Sequence, residues 1–279
     1  MSAVPGRVAQ LILPLREDPG AAAVLCDIDG TLAPIVDDPG DAAVPEETRR
    51  ALRAVARGFG LVACVSGRRA VEARWLVGVD ELTYAGNHGL EVLEPGAEAA
   101  TLEPTVADSG RAARAFVLDL EAEGLREADV RVEDKGPIQA LHWRGARDPE
   151  LAERRAREIA AAASAAGLQP RFGRRVLEIR PTSEVDKGTA VRRLLDGRSL
   201  KMALFAGDDR TDLDAFRALR SMADADELRV AVCLGISSDE APAELARTAD
   251  AVVTGPAAFR DVLTALAEPL ARASAGIGA

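Results

Sequence analysis

The sequence has few aromatic residues and few cysteines. Phe, Trp and Tyr together make up 3% of the 279 residues, so the core must be built from small aliphatic side chains, as is typical of helices packed on a parallel sheet. The three cysteines, Cys26, Cys64 and Cys233, each lie inside an apolar run. This placement favours packed thiols over disulfides or a metal site. We therefore expect a cytoplasmic protein.

Positive charges are outnumbered by negative ones, 35 Lys and Arg against 45 Asp and Glu, and long apolar runs are absent. The formal net charge is -10, and an acidic surface opposes binding to nucleic acid or to an anionic membrane. No apolar run approaches the roughly 20 residues that a membrane-spanning helix needs, and the N-terminal segment becomes charged too soon for a signal peptide. We expect neither nucleic acid nor membrane as a partner, and we expect a monomer that acts on a small molecule.

The chain alternates short apolar runs with amphipathic segments. The apolar runs occupy residues 21–27, 60–66, 201–208, 228–235 and 250–255. Helical patterns occupy residues 45–58, 68–78, 187–197 and 211–224. The apolar runs are too short for helices and read as strands buried on both faces. This alternation predicts an α/β fold with a doubly wound parallel sheet, whose ligands bind beyond the carboxyl ends of the strands.

The middle of the chain, residues 107–181, does not follow this alternation. It contains two copies of a helix followed by a hairpin, at residues 109–124, 130–144, 148–167 and 170–181. The segments on either side are rich in Pro, Gly and Thr, which is typical of linkers. We therefore predict a smaller α+β domain at residues 107–181, called the insert below, within a core formed by residues 1–106 and 182–279.

Two aspartates follow the first apolar run, in the sequence VLCDIDGTLAP. Asp27 and Asp29 are two residues apart, so their side chains can converge while Ile28 points into the core. Two carboxylates in one small volume repel each other unless a cation lies between them, and oxygen ligands favour Mg²⁺ over zinc. The alternative is a polar turn that happens to follow a strand.

Further polar residues are expected at the same edge of the sheet. Asp208 and Asp209 end another apolar run and Asp212 follows one turn later, while Ser66 supplies a hydroxyl and Lys187 a cation at a helix start. Carboxylates, a hydroxyl, a lysine and a metal ion are typical of a phosphate site. Taken singly, Ser66 is more typical of an ordinary strand-to-helix turn, and Lys187 of a solvated surface.

Four short motifs occur in order along the chain: DIDGTL, VSGR, DKG and GDDRTD. They resemble the motifs of the haloacid dehalogenase-like phosphotransferases, which have a Rossmann-like core, and the resemblance covers nearly the whole chain. The insert lies where the type 2 cap of that superfamily lies. Within the chain, GNHG, VEDKGPIQALHWR and GRRVLEIRP resemble the trehalose-6-phosphate phosphatases, although this family commonly has Tyr where Trp143 stands.

The resemblance implies a magnesium-dependent phosphatase that forms an aspartyl-phosphate. It implies that Asp27 is the nucleophile and that Asp29 is the general acid and then the general base. Superfamily ion pumps, which must preserve their phosphoenzyme, have Thr at the position of Asp29. Ser66 and Lys187 are implied to bind the phosphoryl oxygens.

The resemblance also implies the metal and substrate ligands. Mg²⁺ would be held by Asp27, the backbone carbonyl of Asp29 and Asp208, with Asp209 and Asp212 in supporting positions. The implied substrate contacts are Thr31, Ser66, Gly67, Arg68, Asn87, His88, Glu133, Lys135, His142, Glu178 and Arg180. Among them, Glu133, Lys135 and Glu178 are expected to grip the distal glucose of trehalose 6-phosphate.

Several alternatives stay open at this point. The charge pairs of the insert could be a solvated face of its hairpins, and His142 could be a packing residue. The substrate could be another sugar phosphate, such as sucrose phosphate, a mannosylglycerate-type ester or a pseudo-disaccharide phosphate. A phosphosugar mutase or a non-catalytic regulatory module would also retain this fold, but the nucleophile set is intact here.

Overall fold

The strands of the larger sheet are the apolar runs of the sequence. The computed structural model describes residues 4–36, 41–103, 107–120, 122–173, 175–181, 185–238 and 241–268. Its strands are β1 (Ala22–Cys26), β2 (Leu61–Val65), β3 (Thr83–Gly86), β4 (Glu91–Leu93), β5 (Thr101–Leu102), β6 (Arg131–Asp134), β7 (Gln139–His142), β8 (Gln169–Gly173), β9 (Val176–Arg180), β10 (Met202–Gly207), β11 (Val230–Ser237) and β12 (Ala251–Thr254).

The helices follow the amphipathic segments. They are α1 (Gly6–Glu17), α2 (Glu46–Ala56), α3 (Ala70–Val77), α4 (Ala107–Leu118), α5 (Ala122–Glu127), α6 (Pro149–Ala165), α7 (Lys187–Leu195), α8 (Asp212–Asp224), α9 (Ala243–Thr248) and α10 (Gly255–Ala267). One predicted helix, at residues 109–124, is instead two: α4 ends at Leu118, where the amides of Asp119 and Leu120 close the last turn. None of the helices in the described ranges is both long and apolar enough to cross a bilayer.

The core sheet has eight strands in the order β12-β11-β10-β1-β2-β3-β4-β5. The pairs from β12 to β3 are parallel, and β4 and β5 extend the sheet in antiparallel fashion. Strand β1 lies between β10 and β2, so Asp27 follows a central strand. The doubly wound parallel sheet is confirmed. The antiparallel extension, like α1 and α10, was not predicted.

Helices cover both faces of this sheet because side chains of a strand alternate between its faces. On β1, Val24 packs in one apolar cluster with α1, α2, α3 and α10. Leu25, its neighbour, packs in a second cluster with α7 and α8. The three cysteines are buried and unpaired in these layers, which confirms their prediction as packed thiols.

The insert forms its own sheet and its own apolar cluster. Its four strands run antiparallel in the order β6-β7-β9-β8, and α4 and α6 pack on one face around the buried Trp143. The predicted α+β composition of the insert is confirmed. The exact domain boundaries stay a prediction, since residues 104–106 and 182–184 of the expected linkers lie outside the described residues.

Candidate active site

Asp27 continues the central strand into a tight turn. Its amide donates to the carbonyl of Ala206 at 2.9 Å, which extends the β1–β10 ladder by one residue. The Asp27 carboxylate accepts a hydrogen bond from the amide of Ile28 at 2.7 Å, and the Ile28 side chain is buried as predicted. Gly30 has φ +82°, and a Cβ there would overlap the carboxylate of Asp208. Glycine is therefore required by both conformation and space.

Three buried carboxylates converge beside this turn. One carboxylate oxygen from each of Asp27, Asp208 and Asp212 lies within 4.8 Å of the others. Burial raises the pKa of Asp208 to about 7. The pKa of Asp27 is also raised, first by burial and then by repulsion from Asp212 and Asp208, despite the nearby Lys187. Each raised pKa shows that nearby positive charge does not fully offset the effects of burial and repulsion on the ionised carboxylate.

The ammonium group of Lys187 supplies positive charge next to these carboxylates. It is the first residue of α7, whose start is capped by Asp186 through the amide of Thr189 at 2.8 Å. Its Nζ lies 2.7 Å from oxygens of both Asp27 and Asp212. Burial works against its charge, but the two carboxylates outweigh burial and raise its pKa. One ammonium facing three carboxylates leaves the group short of positive charge.

The donor chemistry of this group fits a hard divalent cation. All side-chain donors are carboxylate oxygens, the ligand type that Mg²⁺ prefers. Asp212 is already engaged, because one oxygen contacts Lys187 and the other accepts the amides of Asp208 and Asp209 at 2.9 Å each. Asp27 and Asp208 are thus the better placed direct ligands, with Asp212 behind them.

Asp29 is not part of this group, contrary to the convergence expected from its spacing. Its carboxylate accepts two hydrogen bonds from Arg68, at 2.8 Å from Nε and 2.7 Å from Nη2. A bidentate arginine contact of this kind is among the strongest that a carboxylate makes. Thr31, in the same turn, donates to Asp208 at 2.8 Å.

Ser66 directly follows β2 and is buried beside a turn that follows β3. Its carbonyl accepts the amide of His88 at 2.8 Å, and the carbonyl of Arg68 accepts the amide of Asn87 at 2.7 Å. Asn87 and His88 have φ values of 51° and 59°, which Asn and His tolerate better than most residues. The two loops that carry VSGR and GNHG are therefore joined through their backbones.

His88 faces the site as a neutral ring. A Cβ on Gly67 would lie 2.9 Å from the ring, so glycine allows the ring to pack against the Ser66–Arg68 loop. The pKa of His88 is well below its ordinary value, first because of burial and then because of the cations of Arg180 and Lys187. The ring therefore offers one donor and one acceptor at neutral pH.

A cleft of about 340 Å³ lies between the core and the insert. This volume is within the range of small-molecule sites, roughly 300–1,000 Å³. The predicted residues that line it are Asp29, Gly67, Arg68, His88, Glu133, Lys135, His142 and Glu178. It is also lined by Ile35, Val36 and Glu72, which sequence reasoning missed because they carry no motif. Four other residues predicted to contact the substrate do not line it: Thr31, Ser66, Asn87 and Arg180.

The insert wall of the cleft carries charges that pair with one another. Glu133 and His142 are 2.6 Å apart, and Lys135 and Glu178 are 3.4 Å apart. Arg180 contacts the other oxygen of Glu178 at 3.2 Å. Burial lowers the pKa of His142, against the opposing effect of Glu133. Each of these side chains has a partner without a ligand, although Nη2 of Arg180 is buried with no hydrogen-bond partner in the described part of the chain. The pairs remain partly open to solvent.

A larger cleft, of about 780 Å³, lies along α7 and is lined by residues such as Arg192, Arg193 and Lys201. It contains none of the residues predicted to bind substrate. The smaller cleft is the better candidate because it brings together predicted residues from both parts of the chain, among them Asp29 of the turn that follows β1.

Comparison with known proteins gives one consistent result. Residues 25–248 match the model of the trehalose-phosphatase family. A trehalose 6-phosphate phosphatase of Zea mays is 34% identical over 260 residues, which cover 86% of this chain and 68% of the relative. A probable trehalose-phosphate phosphatase of Oryza sativa is 36% identical over 217 residues, and the match spans only 59% of its length and 71% of this chain.

Solved structures agree at the level of the fold. The C-terminal domain of a Candida albicans trehalose-6-phosphate phosphatase superposes with a TM-score of 0.71 at 20% identity, covering 93% of this chain and 96% of that one. At this identity the likeness shows the fold alone. The predicted haloacid dehalogenase-like architecture is confirmed.

Proposed function

The chain belongs to the trehalose-phosphatase family, a family of phosphoric monoester hydrolases, and on that premise we propose that it hydrolyses trehalose 6-phosphate to trehalose and phosphate. The observation that carries the proposal is the cleft between core and insert. Its core wall includes Asp29, two residues after Asp27, and its insert wall presents Glu133, Lys135 and Glu178. A phosphate at one end and a polyhydroxylated group at the other suit these two walls.

The chemistry is assigned to Asp27 and Asp29. Asp27 attacks phosphorus, and the bond from phosphorus to the sugar oxygen breaks as that oxygen takes a proton from Asp29. Water then attacks the aspartyl-phosphate, loses a proton to Asp29, and phosphate leaves with the Asp27 carboxylate restored. To give a proton Asp29 must carry one, so its bidentate contact with Arg68, which needs the ionised carboxylate, must open when substrate binds.

The buried charges prepare the nucleophile for an anionic substrate. A Mg²⁺ ion held by Asp27, Asp208 and the backbone carbonyl of Asp29 would offset the repulsion between carboxylate and phosphate. Lys187 orients Asp27 through its contact at 2.7 Å and remains close enough to serve the phosphoryl oxygens. Ser66, buried at the end of β2, supplies a hydroxyl to the same oxygens, and Thr31 and Asp212 hold Asp208 and Lys187 in place.

Sugar recognition is assigned to the insert. Lys135 and Glu178 would exchange their contact with each other for hydroxyls of the distal glucose, which Glu133 would bind as well. His142 orients Glu133, and Arg180 orients Glu178. A sugar with mismatched hydroxyls would leave such groups unpaired, at a cost of roughly 1–3 kcal/mol each.

Phosphate release from a panel of sugar phosphates tests the proposal. With Mg²⁺, we expect kcat/KM for trehalose 6-phosphate to exceed that for sucrose 6-phosphate and glucose 6-phosphate by about tenfold or more. EDTA should abolish turnover and added Mg²⁺ should restore it, except in the Asp208→Ala variant. Preference for another sugar would overturn the substrate, full activity in chelator would overturn the metal, and a lack of any turnover would point to a regulatory module.

A further inference from the structure

One side chain of the core makes a direct hydrogen bond to the backbone of the insert. Asn87 lies in the turn after β3 and is fully buried. Its Nδ2 donates to the backbone carbonyl of Lys135 at 2.9 Å and to Oε1 of Glu91 at 3.2 Å. Lys135 follows β6 in the hairpin turn of the insert. This amide therefore connects the two parts of the chain beside the cleft.

The direction of the Asn87 amide is set by its partners. A carbonyl and a carboxylate only accept hydrogen bonds, so the NH₂ group must face Lys135 and Glu91. The amide oxygen is buried and has no donor within the described ranges. A flip of the side-chain amide by 180° would place its oxygen against these two acceptors, so the observed orientation is the stable one.

Glu91 anchors this contact to a rigid part of the core. It is a buried residue of β4, and its Oε1 also accepts the amide of Ala70, the first residue of α3, at 2.7 Å. A carboxylate at a helix N-terminus is favourable because it satisfies a free amide and the helix dipole. The Asn87 amide is thus fixed by a helix and a strand rather than by a loop alone.

An apolar contact lies across the same joint. Leu90, three residues after Asn87, packs with Ile138 of the hairpin turn, and both are buried, with Val185 against them. The amide of Lys135 closes this turn on the carbonyl of Ile138 at 2.9 Å. The hairpin that carries Glu133 and Lys135 is therefore docked on the segment 87–90, which also supports Ser66 and Arg68.

We propose that Asn87 is a positioning residue, whose amide clasps the hairpin of the insert to the core and so places Lys135 and Glu133 over the cleft. This inference rests on the proposed function, and it revises the expectation that Asn87 contacts the substrate. The NH₂ group of the amide is already used, and Asn87 does not line the cleft. Asn87 acts on sugar recognition through the position of the insert.

Two substitutions at this position suit its left-handed backbone. Asn87→Asp keeps the shape and tolerates φ 51°, but it replaces the donor with an acceptor beside Glu91. Asn87→Gly removes the side chain without adding charge and also tolerates this φ. Asn87→Ala would add backbone strain to the loss of the amide, so it is less informative. Glu133→Ala serves as the matched control, since it removes a sugar contact and leaves the clasp intact.

Steady-state kinetics test the effect on recognition. For both Asn87 variants, we expect the loss of kcat/KM on trehalose 6-phosphate to be about tenfold larger than the loss on 4-nitrophenyl phosphate, mainly through KM. Equal losses on the two substrates would place the damage in the phosphate site and overturn the proposal. No loss on trehalose 6-phosphate would overturn it as well.

A distance measurement without substrate separates positioning from direct contact. Trp75 on α3 and Leu118 on α4 are 79% and 75% exposed, and the three native cysteines are buried, so Trp75→Cys with Leu118→Cys allows selective spin labelling. We expect the interlabel distance distribution to shift or broaden in both Asn87 variants and to stay as in the parent for Glu133→Ala. An unchanged distribution in the Asn87 variants would overturn the proposal. If the parent protein does not hydrolyse trehalose 6-phosphate, the proposed function is wrong. The distance measurement still tests whether Asn87 holds the insert in position, because it uses no substrate.

Discussion

The charged groups of the core and those of the insert are held in different ways. In the core, the side chains of Lys187, Asp27 and Asp212 are 2%, 8% and 0% exposed. On the insert wall of the cleft, the side chains of Lys135, Glu178, His142 and Glu133 are 16%, 15%, 22% and 35% exposed. Buried charges interact strongly and cannot exchange partners without another charge. Partly exposed pairs are weaker and can exchange a partner for a hydroxyl or for water.

We interpret this difference as a division of work, in which the core carries out the phosphoryl transfer and the insert recognises the sugar. Phosphoryl transfer requires charges whose positions do not change while charge develops on the substrate. Recognition of a neutral sugar requires donors and acceptors that are satisfied when the cleft is empty and remain available when it is filled. Four predictions test whether the two regions divide the work in this way. Two compare two substrates for changes in one region, and two compare a change in the core with a change in the insert.

Removal of Asp27, the proposed nucleophile, should have the largest effect. Asp27→Asn preserves the shape of the side chain, so the protein should fold while turnover falls by about 10³-fold or more. The loss should be equally severe on trehalose 6-phosphate and on 4-nitrophenyl phosphate, because both need Asp27. Phosphate release near the parent rate on either substrate would exclude a covalent mechanism; circular dichroism checks the fold.

Loss of a lysine should destabilise the core far more than the insert. Lys187→Met leaves Asp27 and Asp212 buried without their ammonium, and the free energy of unfolding should fall by about 3–5 kcal/mol. Lys135→Met breaks a partly exposed pair with Glu178, for which about 1 kcal/mol or less is expected. Urea denaturation monitored by circular dichroism measures both. Similar losses of unfolding free energy in the two variants would contradict the difference between buried core charges and partly exposed insert charges.

Substitutions on the insert wall should change selectivity rather than chemistry. Glu133→Ala, Lys135→Ala and Glu178→Ala should each lower kcat/KM for trehalose 6-phosphate by about tenfold. Hydrolysis of 4-nitrophenyl phosphate, which lacks the second sugar, should change much less. If both substrates lose activity equally, the insert controls access to the phosphate site instead. If neither does, the sugar is recognised elsewhere.

The two histidines should differ in their contribution to stability in acid. The pKa of each is lowered in the folded protein, so below about pH 6.5 the unfolded state binds more protons and stability is lost as pH falls. His88, which faces the cations of Arg180, Lys187, Arg171 and Lys135, should contribute more than His142, which Glu133 supports.

Unfolding free energies measured between pH 7.5 and 5 compare the two contributions. The dependence on pH should become flatter in His88→Asn, and less so in His142→Asn; asparagine tolerates the left-handed backbone at position 88. The slope, rather than the absolute stability, is the readout, because the substitution also changes packing. An unaltered slope in His88→Asn would mean that this ring is protonated in the folded state or titrates normally.

Much of the architecture was predictable because its signals are local. A parallel strand buried on both faces is a continuous apolar run, and the runs that end at Asp27, Ser66 and Asp208 became β1, β2 and β10. The hairpins of the insert follow alternating residues with turn signals at Gly136 and nearby. By contrast, β3, β4 and β5 are short, and both residues of β5 are exposed, so no periodic pattern predicts these strands.

The sequence by itself determined which residue types occur where strands end, and the order of the motifs was enough to indicate the family and most of the residues that line the cleft. Only the tertiary structure decided how those side chains are paired: Asp29 with Arg68, Asp212 with Lys187, and Asn87 with the carbonyl of Lys135. The reason is that strand runs and motifs are properties of neighbouring residues. A hydrogen bond between residues 39 or 48 positions apart depends on how the strands and the insert pack, which no local pattern encodes.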